Sequence, residues 1–373
     1  MPDVEIMGMI GVNRERDSSR GVTVSLFGGG INPADEIPAG IDADYIAEFS
    51  QAHEASGFDK VLIGYSSATA EGFAVAGYAA SQTKTLGYLI AHRPGFVFPT
   101  LLARQAATLD QLTEGRIALH IISGGSDLEQ RRDGDWSDHD ARYRRTDEFM
   151  GVLSRVWTET APFDHEGEFY RFEQNLSEVR TFQKPGVPLY FGGASDVAKE
   201  VGAKRADVFA LWGEPKEAIK GQIADIRARA AKYGRTIRFS VSVRPILGDT
   251  EGEAWERARG ILERVKSSVG DTIGLGKPAR LQSEGSRRLL DFAAKGDIHD
   301  KRLWMPIAAT TGAAGNTTAL VGTAEQVAES LLAYHQAGAS AFIIRGFDPM
   351  QDTIDWGKEL IPMVRDGAAA LAK

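Results

Sequence analysis

Along the 373 residues, short runs of β-branched and aliphatic side chains alternate with longer amphipathic stretches. Eight of the short runs read as strands: Glu5–Val12, Lys60–Gly64, Thr85–Ala91, Ile117–Ile122, Leu189–Phe191, Asp207–Trp212, Arg238–Ile246 and Ala341–Gly346. Their apolar content is near-continuous, as in Val61-Leu62-Ile63, the pattern of parallel strands buried on both faces. Between them the spacing predicts helices over Ala43–Ser56, Pro99–Leu112, Arg142–Trp157, Asp196–Ala203, Pro215–Tyr233, Glu251–Val269 and Thr323–Ala337. Gly57 and Gly234 stand where a C′ glycine belongs, and Thr323 with Gln326 forms a capping-box pair.

Eight strands alternating with helices predict an α/β fold, a (β/α)8 TIM barrel, as a single domain over 1–373. An open doubly wound sheet shows the same alternation, but its first strand normally runs into a Gly-rich dinucleotide turn. Here Gly28-Gly29-Gly30 lies inside a long loop and does not immediately precede a helix. A barrel takes about 250 residues, which leaves the remainder for insertions near 13–41, 123–140, 158–187 and 270–322. The last is rich in small polar residues and is expected to be a mobile lid at the C-terminal mouth.

Composition narrows the chemistry. The chain has no cysteine, which excludes disulfides, zinc ribbons, iron–sulfur clusters and thiol nucleophiles. Redox chemistry would then rest on an organic cofactor or on a metal held by N and O ligands. Lys and Arg number 43 against 51 Asp and Glu, a net charge of -8, which argues against a general nucleic-acid binder. No apolar run approaches the roughly 18 residues of a spanning helix. Met1-Pro2-Asp3-Val4-Glu5 lacks the basic and apolar regions of a signal peptide, so a cytoplasmic protein without membrane contact is expected. The seven histidines include no HExxH or HxH pair, and no metal site is expected. His53, His299 and His335 read as structural or surface residues, and His165 as part of a hairpin tip.

Barrel active sites lie at the C-terminal ends of the strands, so polar residues there are the candidates. They are His92, His120, Ser123, Trp212, Ser242, Arg244 and Arg345, with Phe347 beside the last. Gly193-Ala194-Ser195 reads equally as a phosphate cradle or as an ordinary turn with Ser195 as N-cap. Trp212 reads either as a stacking platform or as a core aromatic. Arg244 and Arg345 each need an anionic ligand or a salt bridge to a carboxylate such as Glu214 or Asp348.

Several motifs recur in a fixed order: Arg93-Pro94 with Pro99-Thr100, Ala103-Arg104-Gln105-Ala106-Ala107-Thr108-Leu109-Asp110, Gly115-Arg116, and Ser137-Asp138-His139-Asp140-Ala141-Arg142-Tyr143. Pro188-Leu189-Tyr190-Phe191-Gly192-Gly193-Ala194-Ser195-Asp196, Trp212-Gly213-Glu214-Pro215, Gly234-Arg235-Thr236-Ile237-Arg238-Phe239 and Thr318-Ala319-Leu320-Val321-Gly322 complete the set. From about residue 45 to 365 the chain resembles the bacterial-luciferase-like flavin monooxygenases, specifically the alkanesulfonate monooxygenase branch. The resemblance implies FMN delivered in reduced form by a separate NAD(P)H-dependent flavin reductase, with O2 as co-substrate. It also implies cleavage of a C–S bond to sulfite and an aldehyde, by a homodimer or homotetramer. By position, His139 and Tyr143 would lie along the flavin, Gly193, Ala194 and Ser195 at its phosphate, and His92, His120 and Ser123 along its ring. His139 or His120 would relay protons, and Trp212 would be the pocket tryptophan.

The departures also carry information. The family's strand-seven Arg-x-His reads Ser242-Val243-Arg244 here, and its strand-eight Gly-Tyr reads Gly346-Phe347. The pocket cysteine is replaced within Ser66-Ser67-Ala68, and the lid arginine by Thr311. Arg244 and Arg345 thus become the candidate sulfonate anchors, with Trp212, Ser242 and Phe347 lining the substrate. The altered lining points to a polyhydroxylated sulfonate such as sulfoquinovose, or else an alkanesulfonate. The alternatives are a deazaflavin (F420)-dependent oxidoreductase on the same fold, a non-catalytic flavin-binding homologue, and a hydrolase or lyase using Glu214 and Asp348.

Overall fold

The computed structural model describes residues 4–14, 40–273, 283–313 and 317–372. Strands β1 (Glu5–Ile10), β2 (Lys60–Ile63), β3 (Gly87–His92) and β4 (Ile117–Ile121) come first. The hairpin β5 (Phe163–Glu166) and β6 (Arg171–Asn175) follows, then β7 (Leu189–Gly192), β8 (Val208–Trp212) and β9 (Arg238–Leu247). The chain ends its strands with β10 (Ile298–His299), β11 (Leu303–Trp304), β12 (Ala319–Gly322) and β13 (Ala341–Ile344). Eight of these pair in parallel in the order β1-β2-β3-β4-β7-β8-β9-β13, and β13 returns to β1. That closure makes a (β/α)8 barrel and excludes the open sheet. The eight strands are those expected from the apolar runs.

Alternation along each strand sorts the side chains into two compartments. Ile6, Ile63, Tyr88, Ile90, Leu119, Phe191, Phe209, Phe239 and Phe342 face the surrounding helices and join the main core. Met7, Met9, Leu62, Leu89, Ala91, Ala118, Tyr190, Val208, Ala341 and Ile343 fill the barrel, with Tyr65 and Ile122 packed on them. Glu5 plugs the N-terminal end, bonded to Lys60, to the Tyr190 hydroxyl at 3.0 Å and to Arg238 at 3.4 Å. Burial pushes the Glu5 carboxyl up, yet Lys60 and Arg238 hold it below the usual value.

β9 outlasts the barrel. Ser240–Val243 pair with β13, whereas Arg244–Leu247 pair with β12, which continues antiparallel into β11 and β10. Ile246, Ala254, Ala258, Trp304, Ile307, Val321 and Phe347 form the apolar core of this side sheet. Segment 270–322, expected as a lid, therefore supplies the helix Glu284–Ala293, the short helix Pro306–Thr310 and strands β10 to β12. Leu289, Met305, Ile307 and Thr318 within it are fully buried. Residues 274–282 and 314–316 lie outside the described residues, as does 15–39 with its glycine triplet.

Most helices match the periodicity. The long helix His139–Thr158 begins three residues before the expected Arg142, because Asp138 caps it by accepting from Ala141 N at 2.7 Å. The capping box at Thr323 and Gln326 is present, and Gly57 and Gly234 adopt positive φ at helix ends. Helix Gly72–Ser81 was not legible as one. Its sequence, GFAVAGYAAS, is small and apolar on every side and shows no polar stripe. His165 sits on β5 against Phe172, with Glu148 at 3.0 Å.

Candidate active site

Strand parity decides which candidates face the barrel mouth. His120 follows inward-facing Ala118 on β4, and Trp212 follows Val208 on β8. Ser242 lies on the inward line of β9, and Arg345 continues the line of Ala341 and Ile343 past the end of β13. His92 is out of step. It shares the parity of Tyr88 and Ile90, and its ring stacks on Phe149 of helix His139–Thr158 at 5.7 Å. The structure thus places His92 and His120 on opposite faces of the barrel wall rather than together. Ser123 likewise bonds Thr146 of that helix, Oγ to Oγ1 at 2.9 Å.

Burial holds both imidazoles neutral, with pKa values lowered to about 4 for His92 and for His120. His53, beneath the barrel wall, is lowered to about 4 by the same cause. For His53 and His92, only 1% and 7% exposed, this links folding to pH. The unfolded chain binds their protons near pH 6.5 and the folded chain only near 4, so stability is complete above 6.5 and lost as pH falls through 4. Each should cost about 3 kcal/mol at the acid limit. Urea unfolding at pH 7, 5.5 and 4.5 should show this decline, and His92→Phe should flatten it.

The turn after β7 is built for close approach. A Cβ on Gly193 would stand 2.5 Å from the Ala198 Cβ and 3.2 Å from the Tyr143 hydroxyl, so only glycine lets the backbone lie here. Ser195 caps helix Asp196–Arg205, accepting from Ala198 N at 3.3 Å. The cap is present. Burial raises the Tyr143 phenol above its usual pKa, so it stays protonated. His139 opens helix His139–Thr158 at the solvent side, its ring 4.8 Å from Tyr143 and its Nδ1 2.8 Å from Asp140. The structure brings His139 and Tyr143, in the first turns of helix His139–Thr158, up to Gly193, Ala194 and Ser195 at the start of helix Asp196–Arg205, where the first-turn N–H groups and the dipole favour an anion.

Arg244 is fully buried where β9 leaves the barrel. Its Nη2 donates to the Gly346 carbonyl at 2.6 Å and its Nε to the Arg345 carbonyl at 3.4 Å. The guanidinium lies over the Phe347 ring, 3.6 Å from its centroid. Phe347 is itself buried in the side-sheet core, so its contact is with Arg244 and that core. Burial depresses the basicity of Arg244, the charge of nearby Arg345 depresses it further, and Asp352 opposes both. Asp352 in turn pairs with Arg257 and accepts from the Phe347 and Asp348 amides at 2.8 and 2.9 Å. Glu214, considered as a partner for these arginines, is instead held by Arg288 at 2.8 and 2.5 Å. Thr311, at the C-cap of helix Pro306–Thr310, donates back to the Ile307 carbonyl at 2.8 Å.

The linear reading passed over one group of residues. Tyr65 donates to Asp133 at 2.8 Å, the Arg93 guanidinium lies 4.7 Å from the Tyr65 ring centroid, and Glu129 accepts from Ser67 N at 2.5 Å. Arg93 is 4% exposed and has Glu129 and Asp133 within 3.8 and 3.7 Å. This network ties the 123–140 insertion to the ends of β2 and β3. Arg93 and Asp133 are too far apart in sequence for any spacing rule to pair them. Among the described residues no three His, Asp or Glu side chains converge as a metal-binding group. No helix among them is long and apolar enough to cross a membrane.

Solved structures share this architecture. A riboflavin lyase with modified FMN and riboflavin superposes with a TM-score of 0.78 at 19% identity, covering 98% of this chain and 92% of that one. DmoA from Hyphomicrobium sulfonivorans gives 0.75 at 19% identity over 98% and 88% of the two chains. The EDTA monooxygenase of Chelativorans sp. BNC1 gives 0.73 at 18% identity over 98% and 94%. At such identities the likeness speaks for the fold. The sequence itself goes further, since a family model described as luciferase-like monooxygenase matches residues 22–341. The chain belongs to the luciferase-like monooxygenase family.

Proposed function

We propose that this protein is the oxygenating component of a two-component system, using reduced FMN and O2 to release sulfite from an organosulfonate. The observation that carries the reading is the placement of two arginines side by side, Arg244 where β9 leaves the barrel and Arg345 just past the end of the neighbouring β13, with the Arg244 Nε donating to the Arg345 carbonyl at 3.4 Å. Arg345 at the mouth, with the buried Arg244 behind it, brings positive charge to this end of the barrel in an acidic protein and would suit a sulfonate's oxygens. His120, Ser242 and Trp212 line the same mouth and offer polar edges, which favours a hydroxylated sulfonate over a plain alkyl chain.

FMN fits the residues present. The Gly193 cradle, the capped helix and the Tyr143 hydroxyl would hold its phosphate, with His139 flanking its chain. When bound in reduced form, the flavin supplies the electrons that activate O2. The protein's own part is to orient and to exclude water. Arg244 and Arg345 fix the anionic end of the substrate, the indole of Trp212 covers an apolar part, and neutral His120 holds or passes a proton inside the mouth. A His120 pKa near 4 keeps the ring uncharged across the working range.

The test combines the protein with FMN, a flavin reductase, NADH and air, and measures sulfite from alkyl, aryl and sugar sulfonates. Sulfite should form only when all components are present. No sulfite from any of them would overturn the sulfonate reading. Tight binding of an oxidised deazaflavin with turnover lacking O2 would favour the F420-dependent alternative.

A further inference from the structure

A contact set at the mouth lies outside the flavin and anion positions. β8 ends at Trp212 and is followed by Gly213-Glu214, and the first turn of helix Glu284–Ala293 rests across this end. A Cβ on Gly285 would stand 3.0, 3.1 and 3.5 Å from three carbons of the Trp212 indole, so the helix backbone lies directly against the ring. One turn on, Arg288 donates to Glu214 twice, from Nε to Oε1 at 2.8 Å and from Nη2 to Oε2 at 2.5 Å. The Glu214 side chain is 4% exposed, which makes this a forked pair largely withdrawn from water. Gln222 donates to the same carboxylate at 3.0 Å, and the Tyr334 hydroxyl donates to the Glu214 carbonyl at 2.7 Å.

The two contacts reinforce each other by geometry. Positions 285 and 288 share one face of the helix, about 4.5 Å apart along its axis, and both meet the chain within two residues of the end of β8, at Trp212 and Glu214. The helix is registered against β8 by charge at one point and by steric closeness at the other.

We infer that Glu214 and Arg288 are positioning residues whose ion pair sets the helix against Trp212, with Gly285 fixing the depth of that wall of the pocket. Only the kinetic arm of the test rests on the oxygenase reading. Trp212 is followed by its emission and its quenching by acrylamide, after subtraction of the Trp212→Phe spectrum. In Gly285→Ala the Trp212 signal should shift, because the added Cβ makes the ring or the helix give by a few tenths of an ångström, while the melting temperature moves little, alanine's helix gain offsetting that strain. In the same variant KM for the sulfonate that releases most sulfite in the screen should rise about tenfold with kcat retained. Arg288→Met and Glu214→Gln should both expose Trp212 to acrylamide, and Arg288→Lys should fall between them and the unaltered protein.

Trp212 emission and quenching unchanged in all four variants would overturn the inference. So would a kcat that falls with melting temperature at constant KM, the mark of a merely structural pair. If the unaltered protein turns over no sulfonate, the oxygenase reading fails while the Trp212 measurements still decide the role of the ion pair.

Discussion

Arg244→Met is expected to lower kcat/KM for sulfite release by about 10²–10⁴, mostly through KM. Two charge-assisted bonds to a sulfonate account for that range, since each contributes about 1.5–3 kcal/mol. The same change removes the donors to the Gly346 and Arg345 carbonyls and the guanidinium over Phe347. A loss of about 1–3 kcal/mol in unfolding free energy should accompany it. The two effects separate in measurement, because instability lowers the folded fraction whereas loss of the anchor raises KM. Arg244→Lys should restore little. A lysine ammonium is a single point of charge and cannot fork to two carbonyls while stacking on a ring. Full activity in Arg244→Met would leave the arginine as a clasp between β9 and the end of β13, and would remove the anion from the proposal.

Gly193→Val carries the second large effect, a weakening of FMN binding by about 100-fold, equivalent to about 2.7 kcal/mol. A branched side chain at this position meets the Ala198 Cβ at 2.5 Å, so the start of helix Asp196–Arg205 must move. That movement breaks the alignment of Ser195, Tyr143 and the helix amides on which the proposed phosphate site depends. Overpacking alone should cost about 1–3 kcal/mol of stability. Titration of FMN fluorescence against the folded variant separates the two. As a control, Gly221→Ala sits on helix Lys216–Lys232 with nothing within 4 Å of its Cβ, and should bind FMN normally. Unchanged FMN affinity in Gly193→Val would move the phosphate elsewhere.

The barrel was legible in the chain because parallel strands buried on both faces must be apolar almost throughout. Val61-Leu62-Ile63 and Ala341-Phe342-Ile343-Ile344 show it directly, and the helices between strands need a polar outer stripe. Helix Gly72–Ser81 escaped because it has no such stripe. The turn after β7 was half legible. Gly193 and Ser195 were visible as a turn before a helix, and Ser195 is its cap, but the close approach of Tyr143 and Ala198 to Gly193 is not written in the spacing.

The sequence by itself determined the fold class, the eight strand positions, the absence of thiol chemistry and the family signature. Those follow from local pattern and composition, which need no knowledge of what lies across the barrel. Only the tertiary structure decided which way each candidate faces and what it meets. It turned His92 toward Phe149 and His120 toward the mouth, because strand parity separates them. It gave Glu214 to Arg288, 74 positions away, and set Arg244 on carbonyls more than 100 positions along. Contacts at such separations arise from barrel closure, and no local spacing encodes them.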